Sequence, residues 1–168
     1  MSVGRRVSMI GWTGKADERD VMDRILVATD GSPSSSEAVH FALELAKEHD
    51  SKLYFVHVVP ELHVLPTNGL GVLGAVPREV TEMDRQSVDD AEALANGEGI
   101  WARAAILRGD LVDEIVTYAD NLAVDLIVVG SRGHGTLANA LLGSVSRGLL
   151  SESRRPVAIV RGTADVAA

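Results

Sequence analysis

The chain has 168 residues, enough for one domain with a substantial core, and 46% of them are hydrophobic against 24% charged. That balance excludes a disordered chain, and the lack of cysteine excludes disulfides, thiolate metal sites and a cysteine nucleophile. Sixteen Lys and Arg against 24 Asp and Glu leave a net charge of −8, which argues against non-specific binding to nucleic acid or an anionic membrane.

Residues 1–22 show no clean hydrophobic period and read as an N-terminal extension, with Met22 a candidate start just ahead of the first strand. Arg5 and Arg6 precede an apolar stretch far too short for an export signal. Ile25 to Ala28 is a continuous apolar run of the kind found in a buried parallel strand. It ends in the turn formers Thr29-Asp30-Gly31-Ser32-Pro33. Ser34, Ser35 and Ser36 offer helix caps, and Ala38, Val39, Ala42, Leu43 and Ala46 recur at helical spacing. Lys52 to Val59 is a second strand.

Pro60 to Pro77 reads as a long apolar loop, of the length usually kept for function or mobility. Pro77 is expected in the first turn of a helix with Val80, Met83, Ser87, Ala91 and Leu94 on one face. Trp101 to Leu107 is a third strand, and Gly109-Asp110 opens a helix striped by Leu111, Ile115 and Ala119. Val124 to Val129 is a fourth strand. A glycine-rich segment, Gly130 to Gly143, leads into a helix at Ser144 to Ser151, and Pro156 to Val160 is a fifth strand. The expected organisation is an extension at 1–22, one α/β domain at 23–162 and a tail at 163–168.

Strand–helix alternation of this kind demands crossover connections and a parallel sheet covered on both faces. Such doubly wound sheets bind ligands outside the carboxyl ends of their strands, where strand order reverses. Two strand ends here carry chemistry: Asp30 after the first, and Gly130 after the fourth. Two residues separate Gly130 from Gly133, nine separate Gly133 from Gly143, and Ser144 follows. Glycines allow positive φ and let main-chain N–H groups approach an anion closely. Ser144 and Ser146 stand at a helix start, where free N–H groups favour phosphate, and their hydroxyls add donors. Arg132, His134 and Arg147 are the nearby cations. The segment is not a P-loop, because Lys15, Lys47 and Lys52 all lie elsewhere, and Gly31 lacks the partner glycine of a dinucleotide fingerprint.

The G-2x-G-9x-G-Ser spacing after VDLIVVGSRGHG resembles the universal stress protein family. Ile25 to Ser32 is similar to that family's opening strand and turn, His57-Val58 to the end of its second strand, and Gly109-Asp110 to its third crossover. Arg155 to Arg161 is similar to its closing strand, so the likeness runs from Arg24 to Arg161. The resemblance implies a Rossmann-like five-stranded parallel sheet of order 3-2-1-4-5 and a homodimer through Pro156, Val157, Ala158, Ile159 and Val160. An exposed apolar edge strand would favour such pairing independently. It further implies ATP or another adenine nucleotide (AMP, ADP or cyclic AMP) as ligand. By position, Ala28 and Val58 would meet adenine, and Asp30 the ribose and, through water, a phosphate-bound Mg²⁺. Val129, Gly130, Arg132, Gly133 and Gly143 would wrap ribose and phosphates, and Ser144, Val145 and Ser146 would cap them.

The resemblance implies a cytoplasmic, stress-related protein, and because no lysine or acid/base pair accompanies the glycines, a sensor or regulatory module is expected rather than a fast enzyme. A slow ATPase using Asp30, His134 or Arg132 is one alternative. A nucleotide-indifferent dimeric interaction module is the other. Asp89, Asp90 and Glu92 read as a solvated acidic face, His57 as structural or surface, and Trp12 and Trp101 as packing residues.

Overall fold

The computed structural model describes residues 8–9, 22–64, 75–133 and 142–161. In chain order these form β1 (Ser8–Met9), β2 (Arg24–Ala28), α1 (Pro33–His49), β3 (Lys52–Val59), β4 (Leu62–Val64) and β5 (Ala75–Pro77). Then come α2 (Glu82–Gly97), β6 (Ala102–Arg108), α3 (Leu111–Asn121), β7 (Leu126–Gly130), α4 (Ser144–Glu152) and β8 (Val157–Val160).

Five strands are parallel, in the order β8-β7-β2-β3-β6. Counted along the chain from the β6 side, this is 3-2-1-4-5. Ile25, Leu26 and Val27 are fully buried, and all of β7 is buried, because helices cover both faces. One core joins Ile25, Val27, Phe55 and Val128 to α1 and α2. The other joins Leu26, Val56, Ile127 and Ile159 to α3 and α4. The two follow from the period-2 alternation of side chains along each strand.

The helix starts are fixed locally. Ser32 caps α1 by accepting from the Ser35 N–H at 3.2 Å, with Pro33 next, so the cap precedes the three serines expected to supply it. Asp110 caps α3 by accepting from Val112 N–H and Asp113 N–H. Gly148 lets α4 lie against α3: a Cβ there would stand 2.5 Å from a Val112 methyl.

Five expectations are corrected. Leu62–Val64 and Ala75–Pro77 pair antiparallel as a separate two-stranded ribbon, so the Pro60–Pro77 stretch is not loop throughout. Pro77 ends β5, and α2 starts five residues later behind Thr81. The buried face of α2 is Asp84, Val88, Ala91 and Ala95, whereas Met83 is 79% exposed and Leu94 is also on the surface. A buried carboxylate with local partners set the phase of that helix. Trp101 is half-exposed, edge-on to Tyr54 with ring centroids 5.5 Å apart. Finally, β1 pairs antiparallel with β8, Ser8 opposite Ile159 and Met9 opposite Ala158, so β8 is not the outermost strand. Among the described residues, no helix is long and apolar enough to cross a membrane.

Candidate functional site

The register sets Ala28 of β2 level with Val56 of β3 and Val129 of β7. The carboxyl ends of three neighbouring strands therefore meet at one rim, at the point where connections depart in opposite directions. A cavity of about 640 Å³ opens there. It falls within the usual size of a small-molecule site.

Eleven residues singled out from the sequence line this one cavity: Ala28, Asp30, Val58, Val129, Gly130, Arg132, Gly133, Gly143, Ser144, Val145 and Ser146. They come from four separate stretches of chain. His134 lies outside the described residues. Arg147 is exposed and is not part of the cavity wall.

The glycine segment is braced at both ends. Gly143 N–H donates to Ser131 O at 2.7 Å, which brings the two ends of the excursion together. The Ser146 hydroxyl donates to Gly130 O at 2.8 Å and ties α4 to β7. That hydroxyl proton is thus engaged with the main chain, not held for a ligand as the sequence suggested. The Ser131 and Ser34 hydroxyls lie 3.2 Å apart, linking the segment to α1.

Gly130 and Gly133 are required for room, not for positive φ. A Cβ on Gly130 would lie 2.7 Å from both Ser34 C and Ser34 O. One on Gly133 would lie 2.6 Å from Asp30 Oδ2. Gly31, with φ 77°, is the glycine in this region that uses the left-handed region. Gly143 has extended geometry and caps α4 without a side-chain hydrogen bond. The first-turn N–H groups of α4 have no intrahelical acceptors, and Ser144, Val145 and Ser146 line the cavity. They present donors and the positive helix end to its contents. Asp30 faces this wall, its Oδ1 accepting from Ser32 N–H at 3.0 Å.

The opposite wall was not read as a unit from the sequence. His57, Pro60, Arg78, Met83 and Asp84 line it, with Leu111 and Ile115 of α3 nearby. Asp84 is buried. Its Oδ2 accepts from Thr81 N–H at 2.8 Å and the Thr81 hydroxyl at 2.7 Å; its Oδ1 accepts from Arg78 Nη2 at 2.8 Å. Burial opposes ionisation, yet the Thr81 main chain, the Arg78 guanidinium and the Thr81 hydroxyl outweigh it and hold this carboxyl far below the usual range. His57 places Nδ1 2.8 Å from Thr29 O and Nε2 3.1 Å from Asp84 Oδ1. Each ring nitrogen thus lies within hydrogen-bond distance of an oxygen, one of the main chain and one of the carboxylate. Arg78 Nη1 is buried without a partner among the described residues. Sequence carried one signal of this cluster, the Thr81-x-x-Asp84 capping pattern. Nothing in the spacing tied it to His57, which is 27 residues away.

The site therefore has an N–H-rich, glycine-walled end, an apolar middle of Val56, Val58, Val129 and Ile115, and a polar end in which Arg78 and His57 share the Asp84 carboxylate. Among the described residues no three His, Cys, Asp or Glu gather as a metal site.

The family model described as "Universal stress protein family" matches residues 22–161. The chain belongs to the universal stress protein family. The universal stress protein YxiE of Bacillus subtilis is 34% identical over 148 residues, which span 84% of this chain and 100% of that one. Universal stress protein MJ0531 of Methanocaldococcus jannaschii is 32% identical over 141 residues, 82% of this chain and 81% of that one. A crystal structure of a universal stress protein in complex with cAMP matches with a TM-score of 0.62 and 27% identity, over 84% of this chain and 98% of that one. The family's parallel sheet, with helices on both faces, is thus the fold described above.

Proposed function

We propose that this chain binds an adenine mononucleotide and acts as a nucleotide-responsive regulatory module in the cytoplasm. The observation that carries the reading is the glycine-walled cradle: Gly130 and Gly133 have no room for a side chain, and the uncapped first turn of α4 closes the same wall. A flat purine suits the apolar middle, with the main chain near Ala28 and Val58 available to its edge. Ribose and phosphates then fall to Asp30 and to the segment from Gly130 to Ser146. The family relative in complex with cAMP, of the same fold, supports an adenine nucleotide as the ligand class. We assign ATP, ADP, AMP and cyclic AMP to that class.

Mg²⁺ fits the donor set only as a passenger of the phosphates. Asp30 supplies one carboxylate, and Mg²⁺ is commonly held by one or two carboxylates plus phosphate oxygens and water. Because Asp30 and Arg132 share the cavity, slow ATP hydrolysis is the second reading. It expects steady phosphate release that Asp30→Ala abolishes. The reading also includes a homodimer joined along Val157–Val160, which requires the edge now held by β1 to be vacated.

Isothermal titration calorimetry with ATP, ADP, AMP and cyclic AMP tests the central reading. Saturable heat with at least one is expected. No heat and no thermal shift with any of the four overturns it.

A further inference from the structure

His57 stands at the rim of the cavity, yet its side chain leaves β3 on the face away from the apolar middle. Side chains alternate along the strand: Phe55 packs into the core shared with α1 and α2, Val56 and Val58 into the core shared with α3 and α4. His57 is on the face of Phe55 and meets Asp84 of α2 there.

Main-chain groups alternate as well, towards one neighbouring strand and then the other. Leu53 N–H donates to Trp101 O, and Val59 O accepts from Gly109 N–H, so odd-numbered residues of β3 face β6. Val56 O accepts from Thr29 N–H at 2.9 Å, so Val56 and Val58 face β2. In a continued parallel ladder, the residue that donates to Val56 O accepts in turn from Val58 N–H. That residue is Thr29, and its carbonyl takes no N–H from Val58. It lies 2.8 Å from His57 Nδ1 instead.

The following rung would join Gly31 N–H to Val58 O, but Gly31 N–H donates to Thr29 Oγ1 at 3.4 Å. The register accordingly stops at Ala28 opposite Val56. Val58, which lines the cavity, keeps both its N–H and its C=O outside the ladder.

We propose that His57 is a positioning residue of the nucleotide site: by donating from Nδ1 to Thr29 O it ends the β2–β3 ladder early and keeps the Val58 main chain open to the edge of the base. The inference rests on the nucleotide reading above and adds the side chain on which base recognition depends. The ring is held for this task. Asp84 Oδ1 lies 3.1 Å from Nε2, and Asp84 is itself fixed by Thr81 and Arg78. A ring fixed at one nitrogen presents the other in a set direction. The N–H and C=O of one residue suit the acceptor N1 and the neighbouring 6-amino donor of adenine. Hypoxanthine, with N1–H and a 6-oxo group, reverses both and leaves the site's polar groups unpaired.

Two measurements test it, the first without nucleotide. Amide hydrogen exchange of the full chain should find Val58 exchanging about tenfold or more faster than Val56, which sits in the ladder. In His57→Phe, Thr29 O is released to Val58 N–H, and the difference should disappear. The second is calorimetry with AMP and with inosine 5′-monophosphate. The unchanged protein should prefer AMP by about tenfold or more, and His57→Phe should lose about tenfold in AMP affinity together with most of that preference. His57→Asn, whose side-chain N–H takes the place of Nδ1, should keep both. His57→Gln, whose amide takes the place of Nε2 and reaches Asp84, should behave like His57→Phe. A ring that merely ties β3 to α2 predicts the reverse order, since Asp84 makes that tie. Circular dichroism with a thermal transition establishes that each variant is folded. The proposal is overturned by a Val58 amide as protected as Val56 in the unchanged protein. It is equally overturned if His57→Phe keeps its AMP affinity and preference, or if His57→Asn falls as far as His57→Gln. Absence of AMP heat from the unchanged protein sinks the nucleotide reading, whereas the exchange data decide separately whether His57 ends the ladder.

Discussion

Alanine substitution of the three cradle glycines separates space for the fold from space for the ligand. Gly130→Ala brings a Cβ to 2.7 Å from Ser34 C and O and 2.9 Å from Ser35 N. Carbon contacts normally settle near 3.5–4.0 Å, so the two segments must part by roughly 0.8 Å. The obstacle is main chain, in the first turn of α1, and that turn is held by the Ser32 cap and the Ser34–Ser131 contact. Overpacking of this kind costs about 1–3 kcal/mol. The lost freedom of the unfolded glycine returns only about 0.4–1 kcal/mol. A net loss of about 1–2 kcal/mol corresponds to a fall in Tm of roughly 2–8 °C for a chain of this size.

Gly143→Ala should behave differently. Its φ of −68° and ψ of 167° suit alanine, and the nearest atom to a Cβ is Ser131 O at 3.5 Å. Alanine is the poorer N-cap, but it also restricts the unfolded chain, so the net loss of stability should stay below about 1 kcal/mol. The new methyl nevertheless lies against Arg132 Cα and Gly133 N in the cavity wall, so AMP affinity should fall about tenfold, or ~1.4 kcal/mol. Gly133→Ala meets only the end of the Asp30 side chain, which can turn aside; the fold survives and binding is lost. Differential scanning calorimetry and AMP titration on the same samples read both effects. A Gly130→Ala protein as stable as wild type refutes the reasoning. So does a Gly143→Ala protein that loses stability and keeps its affinity.

Asp84→Ala leaves Arg78 and His57 without their shared acceptor and should cost roughly 3 kcal/mol near neutral pH by chemical denaturation. The folded carboxyl titrates below its ordinary value, so its contribution is fully present above about pH 4 and fades as pH falls further. The gap between wild type and Asp84→Ala should therefore narrow at pH 3, and a gap that widens on acidification would contradict the assignment. Gly148→Ala adds a good helix former yet places a methyl 2.5 Å from Val112, so thermal unfolding should shift downwards. Combining it with Val112→Ala should recover most of the loss. Ser146→Ala deletes the hydroxyl that holds Gly130 O and should lower stability by about 1 kcal/mol in urea titration.

The strands were legible wherever burial on both faces produced an unbroken apolar run; Lys52–Val59 was read to the residue. The site was legible to the extent that it lies in the main chain: glycine spacing and a helix start are local signals, and their convergence follows from parallel alternation. What depends on distant side chains left no trace in spacing. Asp84 reads as a polar position of α2, yet it is buried because Arg78, Thr81 and His57 converge on it, and this shifts the inner face away from Met83 and Leu94. The pairing of β1 with β8 joins residues about 150 apart, and Ser8–Met9 is too short to show a period. The role of the cradle glycines was also misjudged in kind. Sequence alone does not distinguish a glycine that needs positive φ from one whose Cβ would strike Ser34.

The central claim is that main-chain amides after β7 and at the start of α4 grip the anionic tail of a purine nucleotide. Amide ¹H–¹⁵N NMR during titration with AMP, and separately with adenosine, addresses it most directly. The account predicts saturable AMP-induced shifts concentrated at Gly133, Ser144, Val145 and Ser146, and much smaller shifts at these amides with adenosine. Shifts confined to the β6 edge, or equal responses to AMP and adenosine at α4, would contradict it.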